Sequence, residues 1–398
     1  MLIERFIKYV NFDTKSDEES STFPSTSSQL AFGKMLLEEL KELGISDAIQ
    51  DEYGYIYAHI KGNPHKETIG LIAHMDTSPS LDGGNYIPKI IKDYDGKDIE
   101  LCKDVILSPS KFPSLKNHLH HDLIVTDGKH LLGGDDKAGI TIIMEVISYF
   151  LNNPTIDHAP IAIAFTPDEE IGLGASHFDV KKMNASIAYT IDGGAYNEIN
   201  YENFNAASFI ITFLGVGVHP GSAKNIMINA IKLGMEFNAM LPINEAPEYT
   251  ENYEGFYHLT DIKGDVEQTT LSYILRDHDM DKLNKRIKIM EEAIPYLKEK
   301  YPTCDIKYEY KYNYKNMKLY FNKDPHAIDV AYNAFKKTNI SPISSPIRGG
   351  TDGATITYMG LPCPNLGTGD YNCHGRYEYV SINEMKIMIE VIKNMLTY

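Results

Sequence analysis

A histidine and an aspartate two residues apart, His74 and Asp76, close the apolar run of residues 69–73. In an extended segment, positions i and i+2 point to the same side. The two side chains can therefore meet at the end of a buried strand. Neutral imidazole is a common zinc ligand, and a nearby carboxylate can orient the ring or tune the metal. Three acidic clusters repeat the arrangement downstream. Residues 131–139 (LLGGDDKAG) set Asp135 and Asp136 between a glycine turn and a helix start. Such acids either cap the helix and meet its positive end, or leave one carboxylate free to bridge two cations. Residues 161–174 pass from an apolar strand through Asp168, Glu169 and Glu170 to Gly172 and Gly174. Like charges crowded at a strand end are costly unless cations or water relieve them. Adjacent glutamates project differently, so one can hold a metal while its neighbour faces a substrate water. Residues 187–194 end another apolar strand in Asp192 and two glycines, which turn the backbone where a side chain would block a cavity. His374 then stands alone on a glycine-flanked loop after a strand.

Collected, the set is two histidines and three carboxylates, with a glutamate and an aspartate to spare. Nitrogen and oxygen ligands without cysteine suit zinc, cobalt or manganese. With Asp135 shared, each metal could take one histidine, one terminal carboxylate and the bridge. Three carboxylates and a shared hydroxide nearly balance two divalent cations, which favours that hydroxide at neutral pH. A second histidine-rich run, His118, His120, His121 and Asp122, also invites a metal reading. It lies in a long polar stretch with no apolar strand before it, and no companion acids can be placed beside it, so it reads as a loop feature.

The elements that must position these residues follow from periodicity. Residues 30–43 read as a helix stopped by Gly44, residues 55–60 and 69–74 as strands, and residues 77–129 as a polar stretch with short strands. Residues 138–151 read as a helix, and 161–166 and 187–191 as strands. This alternation implies an α/β unit with a largely buried sheet. The pattern changes near Asn203. Residues 207–214, 268–276 and 306–314 read as strands, and 223–240 and 281–298 as helices, a β-α-β-α-β order. Tyr308, Tyr310, Tyr312 and Tyr314 fall on one side of the last strand. Residues 204–314 are therefore expected to be an inserted domain, flanked by 1–203 and 315–398 of the first. The tail resumes the earlier style, with helices at 325–337 and 352–358, a strand at 363–366 and a final helix from Ile382.

Composition narrows the classes. A chain of 398 residues suggests two domains. Hydrophobic residues at 43% and charged residues at 23% describe an ordinary soluble globular protein. The net charge of -17 argues against a nucleic-acid partner and an anionic membrane surface. No segment approaches a spanning helix, and the N-terminus reads as a helix of the fold, not a secretory signal. Four cysteines without a CxxC pair suit a reducing cytoplasm.

In this order, six motifs resemble the M20 family of dinuclear zinc exopeptidases and deacylases, and the resemblance runs essentially end to end. They are HMD at 74–76, GDDKAG at 134–139, TPDEEIG at 166–172, DGG at 192–194, RGGTDG at 348–353 and HGRYE at 374–378. The resemblance implies an α/β fold: a zinc-exopeptidase-type three-layer catalytic domain with an inserted α+β sandwich, the lid or dimerisation domain. It implies two Zn2+ per chain, with Co2+ or Mn2+ as substitutes. His74, Asp135 and Asp192 would hold one ion, and Asp135, Glu170 and His374 the other. Asp76 would orient His74, and Glu169 would act as general base on the bridging hydroxide's parent water. In the insert, His219 of GVGVHPGS at 215–222 would reach a substrate carbonyl oxygen. Arg276 or Arg348 could grip a peptide carboxylate with its planar fork. The implied activity is a cytosolic aminopeptidase releasing the N-terminal residue from tripeptides, with homodimerisation through the lid. The alternatives are a dipeptidase or N-acyl-amino-acid deacylase of the same chemistry and, more remotely, a non-catalytic binding module.

Overall fold

Runs of isoleucine, alanine and leucine, buried at every position, form the three strands at the centre of the main sheet: Ile69–His74, Ile161–Thr166 and Ile187–Ile191. A strand apolar at every position must be covered on both faces. The computed structural model describes all residues, Met1–Tyr398. Ile69–His74 lies between the other two and runs parallel to both. The full order is Ile49–Gln50, Ile56–Ile60, Ile161–Thr166, Ile69–His74, Ile187–Ile191, Asn365–Leu366 and Ile199–Asn200, with antiparallel pairs at each edge. The helix Gly134–Asn152 packs on the central strand, joined by Leu2–Val10 and Ile382–Leu396. Tyr55, Tyr57, Ile72, Ala162, Ala164 and Ala188 form a second core with Met183, Ile356 and Leu361. The result is a three-layer α/β arrangement. Adjacent parallel strands thus end side by side, at His74, Thr166 and Ile191, which is where open α/β sheets collect ligands.

The polar stretch after Thr77 folds into four short strands. Lys89–Ile91 and Leu123–Val125 pair with each other and join Tyr379–Ser381 and Asp370–Tyr371 in a small sheet. That sheet delivers the loop carrying His374.

The chain separates into two units: residues 1–201, 319–345 and 351–398, and residues 202–318 with 346–350. The second boundary differs from the expected 204–314 because Arg348 is tied into the insert. Its guanidinium donates to the carbonyls of Asn252, Glu254 and Thr250 and to the Thr250 hydroxyl. The insert is an antiparallel four-stranded sheet, ordered Phe256–Gly264, Gln268–Asp277, Asn205–Leu214 and Asp305–Tyr314, with helices Ala230–Ala239 and Met280–Lys300 on one face. Two expectations need correction. The strand Phe256–Gly264 was missed because it is an edge strand, exposed from Thr260 onward, with no sustained apolar alternation. The helix expected at 223–240 begins only at Ala230. Asn229 caps it by accepting from Lys232 N (3.2 Å), and Ile228 instead bridges Val216. The tyrosine face of Asp305–Tyr314 meets helix Met280–Lys300, where Tyr308 and Tyr312 donate to Glu291 and Asn284.

Candidate metal centre

His74 closes the central strand and is buried. Its backbone N–H donates to Asp136 Oδ2 (3.2 Å), and Asp136 Oδ1 accepts from Gly139 N (3.1 Å). Asp136 therefore ties the strand end to the start of the long helix. The two readings of the acid pair divide between its members: Asp136 caps the helix, while Asp135, in an extended conformation, leaves its carboxylate in the cleft. Asp135 Oδ1 lies 2.9 Å from His74 Nε2, and Oδ2 lies 3.3 Å from His374 Nε2. One carboxylate thus touches two imidazoles with separate oxygens. Beyond it, Asp192 Oδ1 stands 3.6 Å from His74 Nε2, and Glu170 Oε2 stands 2.9 Å from His374 Nε2.

The five side chains come from three strand ends (His74, Glu170 and Asp192), one helix start (Asp135) and one distant loop (His374). His74, Asp135 and Glu170 each offer an atom within 4.8 Å of the others, as do His74, Asp136 and Asp192. The donor set fits a pair of divalent cations. It is nitrogen and oxygen only, and Glu170 Oε1 is buried without a hydrogen-bond partner, a lone pair aimed at no protein donor.

Electrostatics follow the crowding. Burial would lower the His74 imidazole, but hydrogen bonds to Asp135, Asp192 and Asp76 raise it well above its usual range. Hydrogen bonds to Asp135 and Glu170 raise His374 to about 11. Burial would raise Asp135, yet hydrogen bonds from His374 and His74 hold it far below the carboxylate range. Glu170 is pushed up to about 7 by burial and by Asp135. Burial raises Glu169 well above its usual range; His74 opposes this, and Asp352, Asp192 and Glu170 add to it. Excess negative charge in little water is the environment that divalent cations relieve.

Asp76 does more than face His74. Its Oδ1 lies 3.3 Å from His74 Nδ1, and its two oxygens accept the backbone N–H groups of Glu169 (3.0 Å) and Glu170 (3.1 Å). One buried carboxylate therefore sets both the histidine and the acidic turn. Asp168, the first of the acidic triplet, points elsewhere. It accepts from Ser25 N, Ser25 Oγ and Gln29 Nε2, anchoring the turn to helix Ser27–Glu42.

Two further acids support the site, and neither was singled out from sequence. Glu378, fully buried, accepts the backbone N–H groups of Leu132 (2.9 Å), Gly133 (3.0 Å) and Asp135 (3.2 Å). It holds the loop that presents Asp135, and burial lifts its carboxyl to about 7. Its place four residues after His374 was the available hint. Asp352 opens helix Asp352–Tyr358 and accepts from Thr166 Oγ1 (3.0 Å) at the end of the neighbouring strand. An acid at a helix start reads as a cap, and the RGGTDG motif that contains Asp352 gives it no role of its own.

His219, Arg276 and Arg348 belong to the second unit. His219 is exposed, and its Nδ1 accepts from Gly221 N (3.1 Å), the strand-end turn that its glycine-rich neighbourhood suggests. The Arg348 fork is engaged by backbone carbonyls, as described, and stacks near Phe204 and Phe256. That use conflicts with an open carboxylate grip, because a fork saturated by four hydrogen bonds has little left to offer. Arg276 donates through Nη1 to Arg348 O (3.0 Å), while its Nε is buried without a partner. Of the two arginines, Arg276 keeps the greater donor capacity.

Known proteins resemble this chain in sequence and in fold. Residues 121–398 match the model of peptidase family M20/M25/M40. A Peptidase T of Clostridium acetobutylicum is 50% identical over 395 residues, covering 98% of this chain and 97% of the relative. The crystal structure of aminopeptidase PepT from Bacillus cereus superposes with a TM-score of 0.77 at 22% identity, covering 100% of this chain and 97% of that one. A dinuclear metal-binding peptidase of family M20 from Bacillus subtilis gives a TM-score of 0.66 at 12% identity, covering 99% and 96%.

Proposed function

The chain belongs to peptidase family M20/M25/M40 and is a metallo-aminopeptidase, and we propose that it releases the N-terminal residue from tripeptides with two zinc ions held at Asp135. The carrying observation is Asp135 itself, whose two oxygens each stand beside a different histidine. In this reading His74 and Asp192 complete one site, and Glu170 and His374 the other. Two bound cations would acidify a shared water and polarise the scissile carbonyl.

The remaining chemistry belongs to this chain's own residues. Glu169 sits in the acidic turn fixed by Asp76, next to ligand Glu170. Its carboxylate takes the proton of the attacking water and returns it to the leaving amine. Burial raises that carboxyl above its usual range, the direction that favours its taking up the proton. Asp76 holds His74 and the turn in place; Glu378 does the same for Asp135. His219 is assigned to the developing oxyanion and Arg276, ahead of Arg348, to the peptide carboxylate. The name of the Clostridium acetobutylicum relative, which covers the chain end to end, supports the peptide substrate.

The same proposal places the enzyme in a reducing cytoplasm, supported by four free cysteines; no helix is long and apolar enough to cross a membrane. It includes a homodimer formed through the insert, supported by Ile210, exposed on the sheet face opposite the helices. Sedimentation would measure that association.

The decisive assay offers tripeptides, dipeptides and N-acetyl amino acids to the zinc-loaded enzyme. Preferred release of the first residue from tripeptides supports the reading. Preferred cleavage of the acylated compounds would replace it with a deacylase.

A further inference from the structure

The histidine run that reads as a loop in sequence acquires an acidic companion in the fold. His118 ends the short helix Pro113–His118 and is buried, and His121 follows half-buried. Glu384, in the first turn of helix Ile382–Leu396, is buried beside them. Each of the three offers an atom within 4.8 Å of the other two. His118 Nε2 lies 3.1 Å from Glu384 Oε1. Two ligands about 2.0–2.1 Å from one tetrahedral zinc stand roughly 3.4 Å apart, so this pair needs little movement to share an ion.

The outer contacts have the form that metal ligands take. A ligating histidine usually has its second nitrogen held by another group, and a ligating carboxylate is hydrogen-bonded in turn. Here His118 Nδ1 meets the Tyr379 hydroxyl (3.2 Å), and His121 Nδ1 meets Ser381 Oγ (2.9 Å). Glu384 Oε2 accepts from the Tyr371 hydroxyl (2.8 Å), which leaves Oε1 for the histidine side. One atom of each residue is thus held from outside: His118 Nδ1, His121 Nδ1 and Glu384 Oε2.

We propose that His118, His121 and Glu384 form a separate transition-metal site, distinct from the Asp135 centre, that clamps the segment after Pro113 to the C-terminal helix. Two imidazoles and one carboxylate favour zinc or cobalt over magnesium or calcium, which prefer all-oxygen shells. The site has three protein ligands and so leaves a position for water. Tyr371 lies three residues before His374, so the clamp also steadies the loop that carries that histidine.

The test counts metal on the full-length enzyme. Protein saturated with Co2+ and freed of excess by gel filtration is compared with His121→Gln and Glu384→Gln by elemental analysis and visible absorption. Wild type should carry one more equivalent of cobalt than either variant, while both variants still hydrolyse peptide. An Asp135→Asn variant should retain the additional equivalent, which separates this site from the catalytic pair. Equal cobalt content in wild type and a folded His121→Gln would overturn the proposal, leaving the cluster a hydrogen-bond network. Should Glu384→Gln unfold, the half-buried His121 variant decides alone.

Discussion

Replacing Glu378 by glutamine should loosen metal binding without touching a ligand. The native carboxylate accepts Leu132 N and Gly133 N on Oε2 and Asp135 N on Oε1. A glutamine of the same shape keeps one acceptor oxygen. If that oxygen serves Leu132 and Gly133, the new NH2 group faces the Asp135 N–H, donor against donor. A hydrogen bond to a charged acceptor contributes about 1.5–3 kcal/mol, and leaving a buried donor unpaired costs a similar amount. Outer partners of metal ligands typically govern about 10–100-fold in affinity, which is about 1.4–2.7 kcal/mol. The two routes agree, because the lost bond sits on the backbone of the very residue proposed to bridge. Chelator competition should therefore show zinc bound some 10–100-fold more weakly in Glu378→Gln. At saturating zinc most activity should return, with KM unchanged. Native zinc affinity in the variant would refute the reasoning, as would lost activity that no zinc concentration restores.

Glu169→Gln should keep its fold and full metal content and lose about 10²–10⁴-fold in kcat; steady-state kinetics beside metal analysis would read both, and unchanged turnover would remove Glu169 from the reaction. Asp168→Asn should destabilise the fold by about 1.5–3 kcal/mol, read by urea unfolding, since its carboxylate anchors Ser25 and Gln29. Gly139→Ala should destabilise despite a helix-propensity gain of about 1 kcal/mol. Its new Cβ would lie 1.8 Å from Ile191 O and 2.4 Å from Asp136 Oδ1, so the helix start must shift, and the denaturation midpoint should fall. Chelation should abolish peptide hydrolysis and Zn2+ should restore it, in the same tripeptide assay; full activity after complete metal removal would contradict a metal-dependent reaction.

The central sheet was legible because its strands are apolar throughout, and each of the acids Asp192 and Glu169–Glu170 follows such a strand directly. The same reasoning reached His74. Support from a distance was not legible. Glu378, Asp352 and Asp168 act through backbone amides and hydroxyls far away in sequence, and no local spacing records those partners. Glu384 completes the His118 cluster from 266 positions away, which is why that run looked like a plain loop. In the insert, periodicity overextended the helix that begins at Ala230, because Ala223, Ile226, Met227 and Ile228 are apolar, whereas the Ile228 backbone bridges Val216 and the Asn229 side chain caps the helix. The edge strand Phe256–Gly264 gave no signal because half-exposed strands need not alternate in polarity.

Anomalous diffraction at the zinc edge, from crystals grown with Zn2+, would test the bridging role of Asp135 most directly. Two peaks about 3.5–4 Å apart should flank its carboxylate, one toward His74 and Asp192 and the other toward Glu170 and His374. A single peak there, or two that leave Asp135 uncoordinated, would contradict the shared-carboxylate centre.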